Sequence, residues 1–123
     1  MRKLVVLMGM LAMLAISATG TAAAVPQFPN IPGTWSHIDI NRKIGGKWHT
    51  LSLDRGRITQ VNNTGMTLRE ADGTFAQIPL TASAIVRVYG FPASIYDLRR
   101  LMYVTTMRID GGPAVRIRVP HRL

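Results

Sequence analysis

Histidine is the residue of this chain with the widest range of chemistry, because it can both transfer protons and bind metals. The histidines are His37, His49 and His121, and the chain has no cysteine. No two histidines are closely spaced, and none has a carboxylate three or four residues away on a predicted helix, as a helical metal site requires. We therefore expect surface or partly buried histidines, no metal site and no cofactor.

The acidic residues are predicted to lie mostly at turn and cap positions. They are Asp39, Asp54, Glu70, Asp72, Asp97 and Asp110. A hydrolase that works with paired carboxylates needs two of them to converge in a cleft. The chain also has no Gly-x-Ser-x-Gly nucleophile elbow and no phosphate-binding glycine loop. We therefore predict that the protein is not an enzyme, and a hydrolase with an unrecognised site is kept as a second alternative.

Arginines give the stronger indication of a binding surface. Arg116 and Arg118 share one face of a predicted strand, because strand side chains repeat every two residues. The apolar residues that alternate with them are expected to face the core: Val115, Ile117 and Val119. Arg57 and Arg87 also lie in predicted strands and extend the surface if those strands are neighbours. These four arginines are the predicted ligand-binding residues, and an ordinary solvated sheet face is the alternative.

The two tryptophans allow two interpretations. Trp48 lies between Lys47 and His49, and Trp35 is close to it in the chain. Two tryptophans in so short a domain can form a stacking surface for sugars or bases. They can equally fill the core or cover one end of it, and the sequence leaves both interpretations open.

The first 24 residues have the order of a secretory signal peptide. Arg2 and Lys3 precede an apolar run from Leu4 to Ile16, and small residues follow up to Ala24. The apolar run is too short for a permanent membrane anchor. We predict cleavage after Ala24, a secreted or periplasmic protein, and no membrane span after cleavage.

The chain is strongly basic. It has 15 lysines and arginines against six acidic residues, which gives a net charge of +9, or +7 without the signal peptide. Such a charge suits an acidic cell-wall polymer, anionic lipid or nucleic acid, and it also simply keeps a protein in solution. Because export puts intracellular nucleic acid out of reach, we do not expect nucleic acid as the partner.

The mature chain divides into two parts. Residues 25–46 form a Pro/Gly-containing N-terminal segment, in which Pro26, Pro29 and Pro32 are spaced by three. That spacing predicts that residues 25–33 are extended and poorly ordered. Residues 47–123 read as short strands separated by turn signals, which predicts one small β domain.

Local signals predict several turns of this β domain. Asp72-Gly73 is the strongest hairpin signal, since both residues tolerate the positive φ of a type I′ turn. Gly56 indicates a bulge or bend. Pro79 indicates an edge strand or a bulge because proline cannot donate a ladder hydrogen bond. Ser94 followed by Asp97 resembles a capping box and predicts the only helix, about two turns long.

Four blocks of the chain resemble a family of exported bacterial domains of unknown function. The blocks are residues 56–61, 66–74, 86–90 and 92–104. The resemblance implies an OB-like small barrel and supplies no catalytic residues. One departure is Leu101, where the family has a glycine before the strand that follows the helix. The helix is therefore expected to run directly into that strand.

The sequence thus predicts an all-β fold: a small antiparallel OB-like barrel of five or six strands with one short helix, after a cleaved signal peptide. We expect a non-enzymatic binding or scaffolding module at the bacterial cell envelope. Its expected partner is an anionic envelope polymer or another envelope protein. A nucleic-acid or other polyanion binder that uses the basic strand face is the first alternative.

Overall fold

A computed structural model describes residues 25–120 of the chain. The predicted signal peptide and His121 lie outside the described residues. The described part forms eight strands: β1 (His37–Ile44), β2 (Lys47–Val61), β3 (Gly65–Glu70), β4 (Phe75–Pro79), β5 (Ile85–Val88), β6 (Phe91–Ala93), β7 (Tyr103–Ile109) and β8 (Ala114–Val119). The predicted all-β class is confirmed, although the strands number eight where five or six were expected.

All eight strands belong to one sheet. Its order is β4-β3-β2-β7-β8-β5-β6, and β1 also pairs with β2. Every pairing is antiparallel except that of β5 with β8, which is parallel. The expectation of a purely antiparallel sheet is therefore wrong. Within residues 25–120, β4 and β6 end the order without pairing with each other, so the hydrogen-bonded sheet is open.

The long strand β2 organises the sheet. One of its edges pairs with β7, and its other edge pairs first with β1 and then with β3. Gly56 lies where β3 begins to pair, and a Cβ atom there would be 2.6 Å from the Arg69 carbonyl oxygen. A bulge or bend was predicted at Gly56. The register of the β2–β3 pairing does shift, but between Ile58 and Gln60.

Alternation along the strands builds hydrophobic clusters on both faces of the sheet. The inner core includes Ile58 of β2, Ile78 of β4, Val86 of β5 and Ile117 of β8. Strands near both ends of the sheet order thus contribute to one core, so the sheet curls around it. We call the opposite side of the sheet the outer face, and its cluster is built on Leu51, Leu53 and Met107.

The outer cluster is covered by residues 25–36, which we call the N-terminal strap. Phe28, Ile31 and Trp35 of the strap pack on the cluster, together with Ile40 and Ile44 of β1. The strap has no helix or strand, as its prolines predict, and its apolar side chains are packed on the outer cluster. The expected boundary between the N-terminal segment and the β domain, after residue 46, falls in the β1–β2 turn. Strand β1, from the expected N-terminal segment, is part of the sheet.

The predicted hairpin between β3 and β4 is confirmed, with a different turn. Gly73 has a positive φ of 87°, and its N–H donates to the Glu70 carbonyl oxygen at 2.9 Å. Asp72 has no positive φ, so the predicted type I′ turn is wrong. The three-residue loop, residues 71–73, matches the common type that ends with a left-handed glycine. Pro79 lies on β4, an end strand, as predicted.

The predicted helix is replaced by one 3₁₀ turn, Ile95–Asp97. The capping box of Ser94 and Asp97 is present, but the chain becomes extended at Leu98. Leu101 then takes a left-handed φ of 74° just before β7, so a helix running directly into that strand is also wrong. Within residues 25–120, no helix has the length and apolar character needed to span a membrane.

Candidate functional site

A row of arginines crosses the outer face of the sheet. Arg118 of β8 is the Cα partner of Arg87 on one side and of Thr105 on the other. Thr105 is in turn the partner of Arg55 on β2. Because partner residues in a sheet point to the same side, Arg87, Arg118 and Arg55 all project from the outer face.

Arg116 joins this row from two residues along β8. Arg87, Arg116 and Arg118 line one pocket of about 160 Å³, together with Gln27, Phe28 and Ile85. The predicted patch is therefore brought together at three of its four positions. Ile117 and Val119 face the inner core as predicted, but Val115 packs in the outer cluster. The reason is a bulge in β8: Met107 and Arg108 of β7 pair with Arg116 and Ala114, so Val115 between them has no partner residue.

Arg57 lies apart from the pocket. It is on β2, where its Cα partners are Tyr103 of β7 and Arg69 of β3. Its Nη1 donates to the Leu101 carbonyl oxygen at 2.7 Å. Arg57 therefore extends the basic outer face along β2 without lining the pocket.

The strap forms one wall of the pocket. Arg116 donates from Nε to the Pro26 carbonyl oxygen at 3.0 Å and from Nη2 to the Val25 carbonyl oxygen at 3.1 Å. The Arg118 guanidinium lies 4.8 Å from the centre of the Phe28 ring. Arg116 therefore has a structural role, whereas Arg87 and Arg118 are the exposed cations of the pocket.

The tryptophans separate into two environments. Trp35 packs in the outer cluster, and the Arg55 guanidinium lies 4.0 Å from its ring centre. Trp48 is 70% exposed on the β1–β2 hairpin, with Lys43 Nζ at 5.8 Å from its ring centre. One tryptophan covers the sheet, as the packing interpretation requires, and the other is a surface side chain.

The positive charge of the arginines is not balanced by ion pairs among the described residues. Among residues 25–120, no lysine or arginine nitrogen lies within 4.0 Å of a carboxylate oxygen. The guanidiniums donate to carbonyl oxygens instead, as Arg87 does to Gly90 at 3.0 Å. A carbonyl satisfies a hydrogen bond but does not neutralise a cation, so the outer face remains available to an anion.

Two carboxylates converge elsewhere, at the junction where β1 and β3 meet along β2. Asp54 is the Cα partner of His37, the first residue of β1, and Gly56 is the partner of Glu70, the last residue of β3. Asp54 and Glu70 are only 3% and 6% exposed. Most of the acids were expected at turn and cap positions, but these two are buried strand residues.

His37 completes this group, which we call the junction cluster. Its Nδ1 lies 2.7 Å from Asp54 Oδ1, and its Nε2 lies 3.1 Å from Asp39 Oδ1. Ser52 donates to the same Asp39 oxygen at 2.7 Å. One potential ligand atom from each of His37, Asp54 and Glu70 lies within 4.8 Å of the other two.

Burial and charge shift the pKa values of this cluster. Burial raises the pKa of Glu70 from 4.5 to about 8, and the neighbouring Asp54 carboxyl adds to the shift. The hydrogen bond to Asp54 raises the pKa of His37 against the opposing effect of burial. The hydrogen bond from Ser52, followed by that from His37, lowers the pKa of Asp39. The cluster therefore binds the Glu70 proton more tightly than an ordinary glutamate does.

A second histidine–carboxylate pair is simpler. His49 Nδ1 contacts Asp110 Oδ2 on the surface, and the Thr50 N–H donates to Asp110 Oδ1 at 2.9 Å. These contacts, led by that from the Thr50 backbone, lower the pKa of Asp110. Neither residue of this pair belongs to the group of three potential metal ligands found among residues 25–120.

Sequence reasoning missed the junction cluster because it looked for ligands close together in the chain. Residues 37, 54 and 70 are brought together by strand pairing. The one local signal is that Asp54 directly follows Leu51 and Leu53, whose alternation is typical of a strand.

No family model, no curated protein and no solved structure matches the chain.

Proposed function

We propose that this chain is an exported, non-enzymatic binding module that holds an anionic polymer of the bacterial envelope on its outer face. The observation that carries the proposal is the pocket lined by Arg87, Arg116 and Arg118, which contains no carboxylate. Arginine suits this role because its planar fork gives paired hydrogen bonds to carboxylate and phosphate groups.

The spacing of the arginines suits a chain of repeated anionic groups. Neighbouring strands are about 5 Å apart and alternate residues on one strand are about 7 Å apart. Arg87 and Arg118 are partners on neighbouring strands, whereas Arg116 and Arg118 are alternate residues of one strand. Arg55 and Arg57 continue the basic surface across β2, which favours a polymer over a small anion.

Export and barrel closure belong to the same proposal. The N-terminal sequence and the family resemblance support export. A sheet whose two end regions share one inner core supports closure into an OB-like barrel, and such barrels commonly bind polymers on a strand face. Another envelope protein with an acidic surface remains the alternative partner.

The hydrolase alternative is less well supported, although two carboxylates do converge. Asp54 and Glu70 are buried at 3% and 6% exposure, so a polymer cannot reach between them. Their ligand atoms lie within 4.8 Å of each other, whereas the carboxyl groups of glycosidases are about 5 Å or more apart to accommodate the sugar.

The proposal is tested with heparin as a model polyanion. The double variant Arg87→Gln/Arg118→Gln removes the two exposed cations of the pocket. The matched control, Arg42→Gln/Lys47→Gln, removes two exposed cations from the β1–β2 hairpin. Arg116 is left intact because it binds the strap.

We expect the pocket variant to elute from immobilised heparin at clearly lower salt than wild type, and the control to elute close to wild type. Each lost contact should also lower the salt dependence of binding, because fewer counterions are released. Equal shifts for the two double variants would mean that only net charge matters and would contradict a defined site. Stronger retention on single-stranded DNA than on heparin would favour the nucleic-acid alternative.

A further inference from the structure

The junction cluster holds a buried oxygen with no partner. Glu70 is 6% exposed, and its Oε2 has no hydrogen-bond partner among the described residues. Its other carboxylate oxygen accepts from the Thr74 hydroxyl at 3.3 Å. A buried polar atom without a hydrogen-bond partner is unfavourable, so the enclosed Glu70 Oε2 indicates that an ion or a proton belongs beside it.

We propose that His37, Asp54 and Glu70 bind one divalent transition-metal ion of the zinc class. Each of the three supplies a ligand atom within 4.8 Å of the other two. One imidazole nitrogen and two carboxylate oxygens form a donor set that Zn²⁺ accepts at about 2.0–2.2 Å, leaving one position of a tetrahedron for water. A metal between them would give the Glu70 Oε2 the partner that it lacks.

The imidazole of His37 is already oriented for this role. Asp39 lies on its Nε2 side at 3.1 Å and is itself held by Ser52. A carboxylate that accepts the proton of one ring nitrogen leaves the lone pair of the other free for a metal. Here that other nitrogen is Nδ1, which faces Asp54. Asp39 is thus a positioning residue and not a ligand.

Charge and access fit the same assignment. With both carboxyl groups deprotonated, the site carries two buried negative charges, and a divalent ion balances them. The ion has a route to the site, since the His37 side chain is 44% exposed. Softer ions that prefer sulfur ligands are excluded by the donor set, and Mg²⁺ and Ca²⁺ prefer all-oxygen sites.

A proton shared between the Asp54 and Glu70 carboxyl groups is the competing occupant. It would stabilise the pair without a metal and would leave His37 as a surface ion-pair partner. The two possibilities differ in how Glu70→Gln behaves, because glutamine imitates a protonated glutamate but is a poor ligand for Zn²⁺.

The test measures Zn²⁺ binding to the chelator-treated full chain by calorimetry at pH 7, with thermal unfolding alongside. We expect one Zn²⁺ per chain and a rise in melting temperature on adding Zn²⁺. His37→Gln and Glu70→Gln should each weaken binding by more than about tenfold. His37 is an exposed edge residue, so its variant reports on binding even if a change at Asp54 prevents folding.

The control is His49→Gln, which removes the surface histidine–carboxylate pair and should leave Zn²⁺ binding unchanged. Loss of binding in this variant alone would place the ion at His49 and overturn the proposal. A wild-type chain that takes up no Zn²⁺ would also overturn it and would favour the shared proton. The pocket variant Arg87→Gln/Arg118→Gln should bind Zn²⁺ normally, so this test and the heparin test fail independently.

Discussion

Glu70 shows how a single buried acid makes stability depend on pH. Its pKa is about 8 in the folded chain and near 4.5 as an ordinary glutamate. Because the folded state binds this proton more tightly than the unfolded state, the stabilising contribution is complete below pH 4.5. It is lost as the pH rises through 8. The raised pKa of His37 acts in the same direction, since the folded state also favours its proton.

We expect Glu70→Gln to remove most of this dependence in the presence of a chelator. The free energy of unfolding of wild type should fall between about pH 4.5 and 8, and that of the variant should fall much less. The variant should therefore be the more stable protein at pH 8 and no more stable than wild type at pH 4. Urea unfolding at several pH values measures this. Parallel curves for the two proteins would show that Glu70 ionises freely in the fold.

Gly56 is required by a close backbone approach. Its φ is not in the left-handed region, so the requirement is one of space. Even a methyl group there would lie 2.6 Å from the carbonyl oxygen of Arg69, on the neighbouring strand β3. This contact fixes the distance between β2 and β3 beside the junction cluster.

Gly56→Ala should destabilise the fold by about 2 kcal/mol, because backbone atoms must move to admit the methyl group. The matched control is Gly65→Ala, where the added carbon would lie 3.4 Å from the Ile78 carbonyl oxygen, an ordinary contact. The control should cost less than about 1 kcal/mol. Chemical denaturation of both variants measures the difference. Equal losses would mean that the β2–β3 spacing adapts easily.

At the scale of elements, the strap is the least regular part of the described chain and yet covers the outer cluster. Its aromatic residues stack on arginines of the sheet: Phe28 on Arg118 and Trp35 on Arg55. These contacts combine apolar burial with cation–π attraction, worth about 0.5–2 kcal/mol each. The strap therefore stabilises the sheet through its side chains.

Trp35→Ala should lower the free energy of unfolding by about 2 kcal/mol or more, through lost packing and the lost contact with Arg55. Trp48→Ala is the natural control, since this side chain is 70% exposed. It should change stability by less than about 0.5 kcal/mol. Unfolding followed by circular dichroism avoids dependence on tryptophan fluorescence. A small effect of Trp35→Ala would mean that the strap adds little to the stability of the sheet.

The sequence predicted the elements whose cause is local. The capping box at Ser94, the hairpin at Asp72-Gly73 and the edge strand at Pro79 each depend on a few adjacent residues. The parallel pairing of β5 with β8 and the junction of His37, Asp54 and Glu70 depend on which distant strands become neighbours. The prediction of a two-turn helix after Ser94 was wrong because a cap starts a helix but does not lengthen it. The backbone is already extended at Leu98.

At the scale of the whole molecule, the acidic and the basic side chains make different kinds of contact. All six acidic residues accept hydrogen bonds or contact a histidine: Asp39, Asp54, Glu70, Asp72, Asp97 and Asp110. These carboxyl groups are thus committed to turns, to the surface pair with His49 and to the junction cluster. Most of the described arginines bond to neutral carbonyls or stack on aromatic rings, which leaves a positive field over the outer face.

The contact between the strap and β8 also determines when the fold can be completed. Arg116 donates to the Pro26 carbonyl oxygen across 90 positions of the chain, and Thr106 donates to the Asp54 carbonyl oxygen across 52. Contacts this distant in sequence require large loops to close, which slows folding. A chain leaving the ribosome cannot seat the strap until β8 has been made, so most of the polypeptide is synthesised before the outer face is sealed. A nascent chain of this topology stays largely unfolded until its synthesis is nearly complete, which is compatible with the export that we propose.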